Sequence, residues 1–199
     1  MTLRLALVLV ALAAAASAQV IEFESGGLRY QTLTRNGVTV MWAHLPTHVR
    51  DYQILQVAVS NGAPVSWTIR PEDFSFRKED GVVIQATPAR TVVDGFVARG
   101  SRNDVIKLVS AYEQGLYGMT HFRSTNGYET RRQAALAEVS STRLKSAAAA
   151  SAIVLVPAKL SSGQSTDGAV FFPSAGKPLG PGKLVVRAAG EVFQFDSPE

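Results

Sequence analysis

Two histidines and an aspartate lie close together in the chain and have the residue types of a metal site. His44, His48 and Asp51 form a His-x-x-x-His pair followed by a carboxylate, and imidazole and carboxylate groups are common ligands of divalent metals. Histidines four residues apart share one face of a helix, but Pro46 between them disfavours a helix here. The geometry on an extended segment is open, and only His121 remains as a further imidazole. A metal carrier or small metal-dependent enzyme using His44 and His48 is therefore one hypothesis.

Other patterns that could support catalysis are weak. Ser75 and Lys78 match Ser-x-x-Lys, which works at the start of a helix, whereas here the pattern lies in alternating strand sequence. The carboxylate pairs Glu72-Asp73 and Glu79-Asp80 occupy turns, where acidic residues are favoured for backbone hydrogen bonding. No Gly-x-Ser-x-Gly elbow and no phosphate-binding glycine loop occur in the sequence. These residues favour a non-enzymatic protein without a cofactor.

The middle of the chain is basic. The segment from Arg99 to Lys159 holds nine basic and four acidic residues, as counted along the sequence. A basic segment suits anionic envelope polymers or lipids, or else is a solvated helix surface. We expect no nucleic-acid binding, because neither a recognition motif nor interleaved aromatic residues accompany the charge. The residues predicted to contact an anionic partner are Arg131, Arg132, Arg143 and Lys145.

Aromatic residues are concentrated in the predicted strands. Trp42, Trp67, Phe74 and Phe76 fall on alternating positions, which is typical of a buried core. An exposed stripe of the same residues would instead bind a glycan or a peptide. The sequence leaves both interpretations open.

The first 18 residues are typical of a secretory signal peptide. Arg4 supplies the positive start, Leu5–Ala16 is an unbroken apolar run, and Ala16-Ser17-Ala18 is a small-x-small cleavage site. The run is shorter than the roughly 20 residues of a spanning helix, so we predict cleavage between Ala18 and Gln19 and no transmembrane segment in the mature chain. Without cysteine there is neither a lipid attachment site nor a disulfide. With no Asn-x-Ser/Thr acceptor either, we expect export to a bacterial periplasm, cell surface or medium.

Hydrophobic alternation with a period of two predicts strands from Leu28 to Arg99. Asn36-Gly37 lies between two apolar runs, which is typical of a hairpin turn. The predicted strands in this part are Leu28–Thr34, Val38–Ala43, Tyr52–Ser60, Val65–Ile69, Phe74–Phe76 and Val82–Ala86. Towards the C-terminus they are Ala152–Val156, Ala169–Phe172, Lys183–Ala188 and Glu191–Asp196, with a flexible loop over Lys159–Asp167.

A helical period interrupts the strands. Apolar residues from Val105 to Leu116 share one helix face, Ser101 and Asp104 resemble a capping box, and Gly118 is a plausible end. A second helix is predicted from near residue 126 to Ala150. Its apolar stripe is thin and its alanines are many, so it is expected to depend on helix propensity, lying along the domain or projecting from it. The sequence therefore predicts a mainly β (α+β) domain over residues 19–199 with a helical insertion at about 101–150; two separate domains are the alternative.

Short pieces of the chain resemble a known family. Val57-Ala58-Val59-Ser60-Asn61, Pro71-Glu72-Asp73-Phe74 and Asp80-Gly81 resemble the immunoglobulin-like sandwiches of many bacterial envelope proteins of unknown function. Pro181–Val186 and Val192–Phe195 are similar to their closing strand pair, and the likeness covers about half of the chain. The resemblance implies an immunoglobulin-like antiparallel β-sandwich and no catalytic residues. We expect an exported, non-catalytic binding or structural protein whose partner is a protein or another envelope component.

Overall fold

The protein consists of antiparallel sheets with a layer of helices on one side. The computed structural model describes residues 19–119, 127–137 and 141–197. The strands are β1 (Ile21–Ser25), β2 (Leu28–Arg35), β3 (Val38–His44), β4 (Tyr52–Asn61), β5 (Trp67–Ile69), β6 (Phe74–Lys78), β7 (Val83–Gln85), β8 (Ala158–Leu160), β9 (Ser165–Pro173), β10 (Gly182–Ala188) and β11 (Glu191–Ser197). The helices are α1 (Ala89–Arg99), α2 (Arg102–Gly118), α3 (Tyr128–Ala137) and α4 (Thr142–Ile153).

Most predicted strands are confirmed, and the hairpin turns explain why. At the β2–β3 turn Asn36 and Gly37 both have positive φ, 46° and 80°, which is the conformation that Asn-Gly supplies in a two-residue hairpin. The resulting register pairs Arg35 with Val38 and Thr34 with Thr39. The N-terminal strand β1 was not predicted; it forms a second hairpin with β2 around Gly26-Gly27.

Two of the sheets pack face to face. One has the strand order β1-β2-β3-β4-β9 and the other β11-β10-β6-β7, with every pair antiparallel. Trp42 meets Phe195 across the interface at 6.2 Å between ring centroids, and Phe76 meets Phe172 at 6.4 Å. The short pair β5–β8 contributes Ile69 to the same core.

The helices cover the other face of the five-stranded sheet. Val92 and Phe96 of α1 and Tyr112 of α2 are buried there against Phe171 of β9. The Tyr30 hydroxyl donates to the backbone oxygen of Gly115 in α2 at 2.6 Å, and burial raises the pKa of Tyr30 to about 12. The neutral phenol is thus a fixed donor that holds α2 on the sheet.

The helical part is longer than predicted. Residues 89–99, predicted as strand, form α1, and the predicted second helix consists of α3 and α4 in the described residues. The capping prediction is confirmed, because Ser101 Oγ accepts from Asp104 N at 3.3 Å while Asp104 Oδ2 accepts from Ser101 N at 2.7 Å.

Helix α4 is buried, and the two predictions around it are corrected. Its alanines pack at the centre of the helical layer because small side chains allow close approach, so burial as well as propensity holds it. The helix continues to Ile153, where a strand over 152–156 was predicted. The predicted loop over 159–167 instead contains the end of β8 and the start of β9, with Thr166 and Asp167 buried.

The described chain is mainly β with antiparallel sheets, as predicted. Among the helices that the structure describes, none has the length and apolar character needed to cross a bilayer.

Candidate ligand-binding groove

A groove opens at the end of the molecule where two hairpin turns meet. The β2–β3 turn at Asn36 and the β10–β11 turn at Ala189-Gly190 form two of its sides, and the segment from Ala63 to Thr68 forms a third. Its volume is about 680 Å³, within the range of small-molecule pockets. We call this cavity the Trp67 groove.

Trp67 is a partly buried aromatic residue in this groove. It lies on β5, opposite Leu160 of β8, and its ring packs against the core between the sheets. Within the described residues its indole Nε1 is buried and has no hydrogen-bond partner. By contrast, Nε1 of Trp42 donates to Gln31 Oε1 at 3.2 Å. A buried donor without an acceptor is costly, and a ligand acceptor in the groove reaches this buried atom only after the Trp67 side chain shifts.

Polar groups of both signs line the groove. Arg70 N donates to Asp73 Oδ2 at 2.8 Å, and Asn36 Nδ2 donates to Glu191 Oε1 at 2.7 Å. The pKa of Asp73 is raised, mainly because the carboxyl group is buried, and the charge of Glu72 acts in the same direction. The hydrogen bond from the Arg70 backbone and the charges of Arg70 and Arg187 partly offset this rise. Asp73 and Glu191 can accept from a ligand, while Arg187 can donate.

The walls of the groove are largely apolar. Val65 is 70% exposed and Val192 is 39% exposed, so aliphatic surface faces solvent at the rim. Val38, Ala63 and Ala188 continue this surface inward. Apolar walls with a few polar groups are typical of sites that bury an apolar ligand and orient it by hydrogen bonds.

The structure places the two predicted metal-site histidines around a smaller cavity. His44 and His48 line a space of about 160 Å³ together with Gln53 and Leu179. His44 Nε2 is 2.8 Å from Ser197 Oγ, and the buried Nδ1 of His48 has no hydrogen-bond partner in the described residues. Asp51 is exposed and is not part of this lining. In the parts of the chain that the structure describes, no three His, Asp or Glu side chains are grouped to hold a metal; His121 lies outside them.

The remaining candidates have structural positions. Ser75 and Lys78 lie on the strand β6, as their alternating sequence predicted. Asp80 Oδ1 accepts from Val82 N at 3.0 Å in the turn that follows. Ala18 and the rest of the signal segment lie outside the described residues, and Gln19 is the first described residue.

The four predicted anion contacts fall into two pairs. On α3, Arg131 and Arg132 are half-buried, and Arg132 Nε lies 3.0 Å from Glu113 Oε1 without the geometry of a hydrogen bond. On α4, Arg143 is exposed and Lys145 is half-exposed in the first turn. The α4 pair is therefore the more accessible one.

Sequence reasoning did not single out Trp67 from the other aromatic residues. Trp42, Phe74 and Phe76 are buried in the core, which is one of the two interpretations that the sequence left open, and Trp67 alone of the four is partly exposed. A signal was present, because Pro64 and Pro71 bracket the run around Trp67 and proline restricts strands to short or edge positions.

Comparisons with known proteins leave the family open. No family model matches the chain, and no curated protein matches it. A search of solved structures found similarity to the crystal structure of the yjhA protein from Bacillus subtilis, with a TM-score of 0.34 and 11% sequence identity. The alignment covers 83% of this chain and 76% of that chain. A likeness at this level does not establish a shared fold.

Proposed function

We propose that the mature chain is an exported, non-catalytic binding protein of the bacterial cell envelope, built on an immunoglobulin-like sandwich. Its binding site is the Trp67 groove, and its ligand is an apolar side chain on an extended segment of a partner protein. The observation that carries the proposal is a groove of about 680 Å³ with largely apolar walls, lined by Trp67 and by the exposed Val65 and Val192.

A peptide ligand suits this combination of groups. An aliphatic side chain would cover Val65 and Val192. A backbone carbonyl beside it would accept from Trp67 Nε1 once binding shifts the Trp67 side chain and brings this buried atom to the groove. Backbone N–H groups of the same segment would donate to Asp73 or Glu191. A sugar ring would need a broad exposed aromatic face, and Trp67 packs its ring against the core instead.

Selection of peptides from a displayed library of random 12-mers tests the proposal. The Trp42→Phe variant leaves Trp67 as the sole tryptophan, since the sequence has two, and its fluorescence then reports occupancy of the groove. We expect selected peptides to change this fluorescence. Val65→Asp should weaken binding about tenfold or more by placing a carboxylate on the apolar rim.

Two further variants separate the groove from other surfaces. Trp67→Phe keeps an aromatic ring and removes the donor, so about a fivefold loss of affinity is expected for one hydrogen bond. Because this variant also removes the fluorescent reporter, its affinity is measured by isothermal titration calorimetry. Val83→Asp makes the same change as Val65→Asp at an exposed position on β7, where Val83 is 55% exposed, and should leave affinity unchanged. Peptides that bind Val65→Asp as well as the unaltered chain would refute the groove as the site.

Metal binding at His44 and His48 is the second candidate function. The two imidazoles share one cavity, and Nδ1 of His48 is without a partner in the described residues. Metal analysis of the purified mature chain tests this candidate, with His44→Ala/His48→Ala as the comparison. A stoichiometric metal that disappears in the double variant would support it, and a metal-free protein that takes up no added Zn²⁺ or Cu²⁺ would exclude it.

A further inference from the structure

Three exposed aliphatic side chains lie around the junction of α1 and α2. Val97, Ile106 and Leu144 are 44%, 55% and 48% exposed. The N-terminal half of α4 is beside the end of α1, because Ser146 Oγ lies 3.5 Å from the backbone oxygen of Phe96. At 1.5 Å of rise per residue, Val97 and Ile106 lie within about 10 Å of the junction along their helices. Leu144 is two residues before Ser146 on α4.

The same corner of the molecule is strongly basic. Two acidic groups of the described residues there are engaged: Asp104 Oδ2 is 2.9 Å from Arg50 Nη1 and caps α2, and Asp94 is 3.8 Å from Arg90. The basic residues there are Arg99, Arg102, Lys107, Arg143 and Lys145, of which all but the half-exposed Lys145 are exposed. We call these five cations and the three aliphatic residues the corner patch.

The corner patch and the Trp67 groove lie at opposite ends of the five-stranded sheet. Arg50, between β3 and β4, donates to the backbone oxygen of Arg99 at the corner. Asn36, at the other end of β3, lines the groove. The seven residues of β3 separate the two ends by roughly 20 Å. A partner at one site therefore leaves the other open.

We propose that the corner patch docks the protein on an anionic phospholipid surface. Aliphatic side chains on helices, ringed by long basic side chains, can enter the boundary between headgroups and acyl chains while the cations contact lipid phosphates. A soluble polyanion would use the cations and leave Val97, Ile106 and Leu144 in water. The chain then lies on the bilayer with the groove facing away from it.

This inference goes beyond peptide binding and does not depend on it. Export determines which bilayer surface the protein encounters in the cell. Binding of the purified mature chain to vesicles does not depend on export. The two proposals can therefore fail separately.

Flotation of the mature chain with phospholipid vesicles tests the inference. We expect binding to vesicles of equal parts phosphatidylglycerol and phosphatidylcholine, little binding to phosphatidylcholine alone, and weakening with added salt. Arg102→Gln/Arg143→Gln should reduce affinity roughly 30-fold, at about fivefold per charge. Arg77→Gln/Lys78→Gln removes the same charge from β6, on the far side of the sandwich, and should retain most of the binding.

The aliphatic residues distinguish a bilayer from a soluble polyanion. Ile106→Ser/Leu144→Ser should weaken vesicle binding but not binding to inorganic polyphosphate, while Val83→Ser on β7 should change neither. If Ile106→Ser/Leu144→Ser binds vesicles like the unaltered chain, the partner is a polyanion and the lipid proposal is wrong. Absence of vesicle binding at low salt by a chain with a folded circular dichroism spectrum also overturns it. The groove variant Val65→Asp should bind vesicles normally.

Discussion

Gln56 is a buried polar residue whose amide is unsatisfied. It lies on β4, it is fully buried, and neither its Nε2 nor its Oε1 has a hydrogen-bond partner in the described residues. A Cβ on Gly115 of α2 would lie 3.1 Å from Gln56 Cγ, so the helix comes close to this side chain. The amide thus lost its water when the helix layer packed on the sheet, and an uncompensated amide destabilises the folded state.

Replacing this amide should stabilise the protein. Gln56→Leu keeps a side chain of similar size and removes the desolvated group, so we expect the free energy of unfolding to rise by about 1–2 kcal/mol. Urea denaturation measures the change. Gln53→Leu is the matched control on the same strand, because Gln53 Nε2 donates to Leu45 O at 3.2 Å. Losing this hydrogen bond should leave the free energy of unfolding unchanged or lower it. A loss of stability in Gln56→Leu would mean that a bound water satisfies the amide.

Gln56 also shows why the sequence did not predict the burial of this face. Leu55, Val57 and Val59 share the face of β4 that was predicted from their alternation, whereas Gln56 lies on the opposite face, for which no cover was predicted. Both faces are buried, one under the four-stranded sheet and one under the helices. Alternation along a strand indicates which of its side chains are apolar, but it does not indicate which distant segment of the chain packs on that strand.

At the level of elements, local turn chemistry made the hairpins predictable. Asn36-Gly37 and Ala189-Gly190 close the two hairpins whose strands were predicted. Helix α1 lies at the end of the range Leu28–Arg99, where a period of two predicted strands. Thr91, Val92 and Val93 are β-branched and Gly95 lies in its middle, and both features weaken helix propensity. The helix forms nevertheless because Val92 and Phe96, four residues apart, are both buried against the sheet. Tertiary packing decided this element.

The crossing between α4 and β9 depends on a glycine. Leu155 N donates to Ala169 O at 2.9 Å, so the chain after α4 runs close along the edge of β9. A Cβ on Gly168 would lie 2.6 Å from Leu155 Cα and 2.7 Å from Leu155 N. Since real Cβ atoms do not approach backbone this closely, a larger residue must displace one of the two segments.

Gly168→Ala should therefore destabilise the protein by about 2–3 kcal/mol, measured as a lower midpoint of thermal unfolding. Gly163→Ala is not a clean control because Gly163 has a positive φ of 78°. Gly95→Ala in α1 is better, since nothing lies within 4 Å of the added Cβ, and it should stabilise the helix by up to about 1 kcal/mol. An unchanged midpoint in Gly168→Ala would show that the crossing is looser than the distances indicate.

At the scale of the whole molecule, the five-stranded sheet is shared by two cores. Phe171 and Phe172 are consecutive on β9 and both fully buried. Phe171 packs against the helices and Phe172 packs against the four-stranded sheet. The helical layer and the second sheet thus depend on the same strands, which favours the single-domain hypothesis over two separate domains.

Cooperativity of unfolding tests the single-domain hypothesis. Phe171→Leu and Phe172→Leu each shrink one of the two cores and should each lower the free energy of unfolding by about 1–2 kcal/mol. Far-ultraviolet circular dichroism follows the helices, and tryptophan fluorescence follows the core between the sheets, where Trp42 and Trp67 pack. If one cooperative unit contains both cores, the two signals change at the same denaturant concentration in either variant. If the layers were separate domains, Phe171→Leu would shift the circular dichroism transition alone, because the fluorescence reports only the core that this substitution leaves intact.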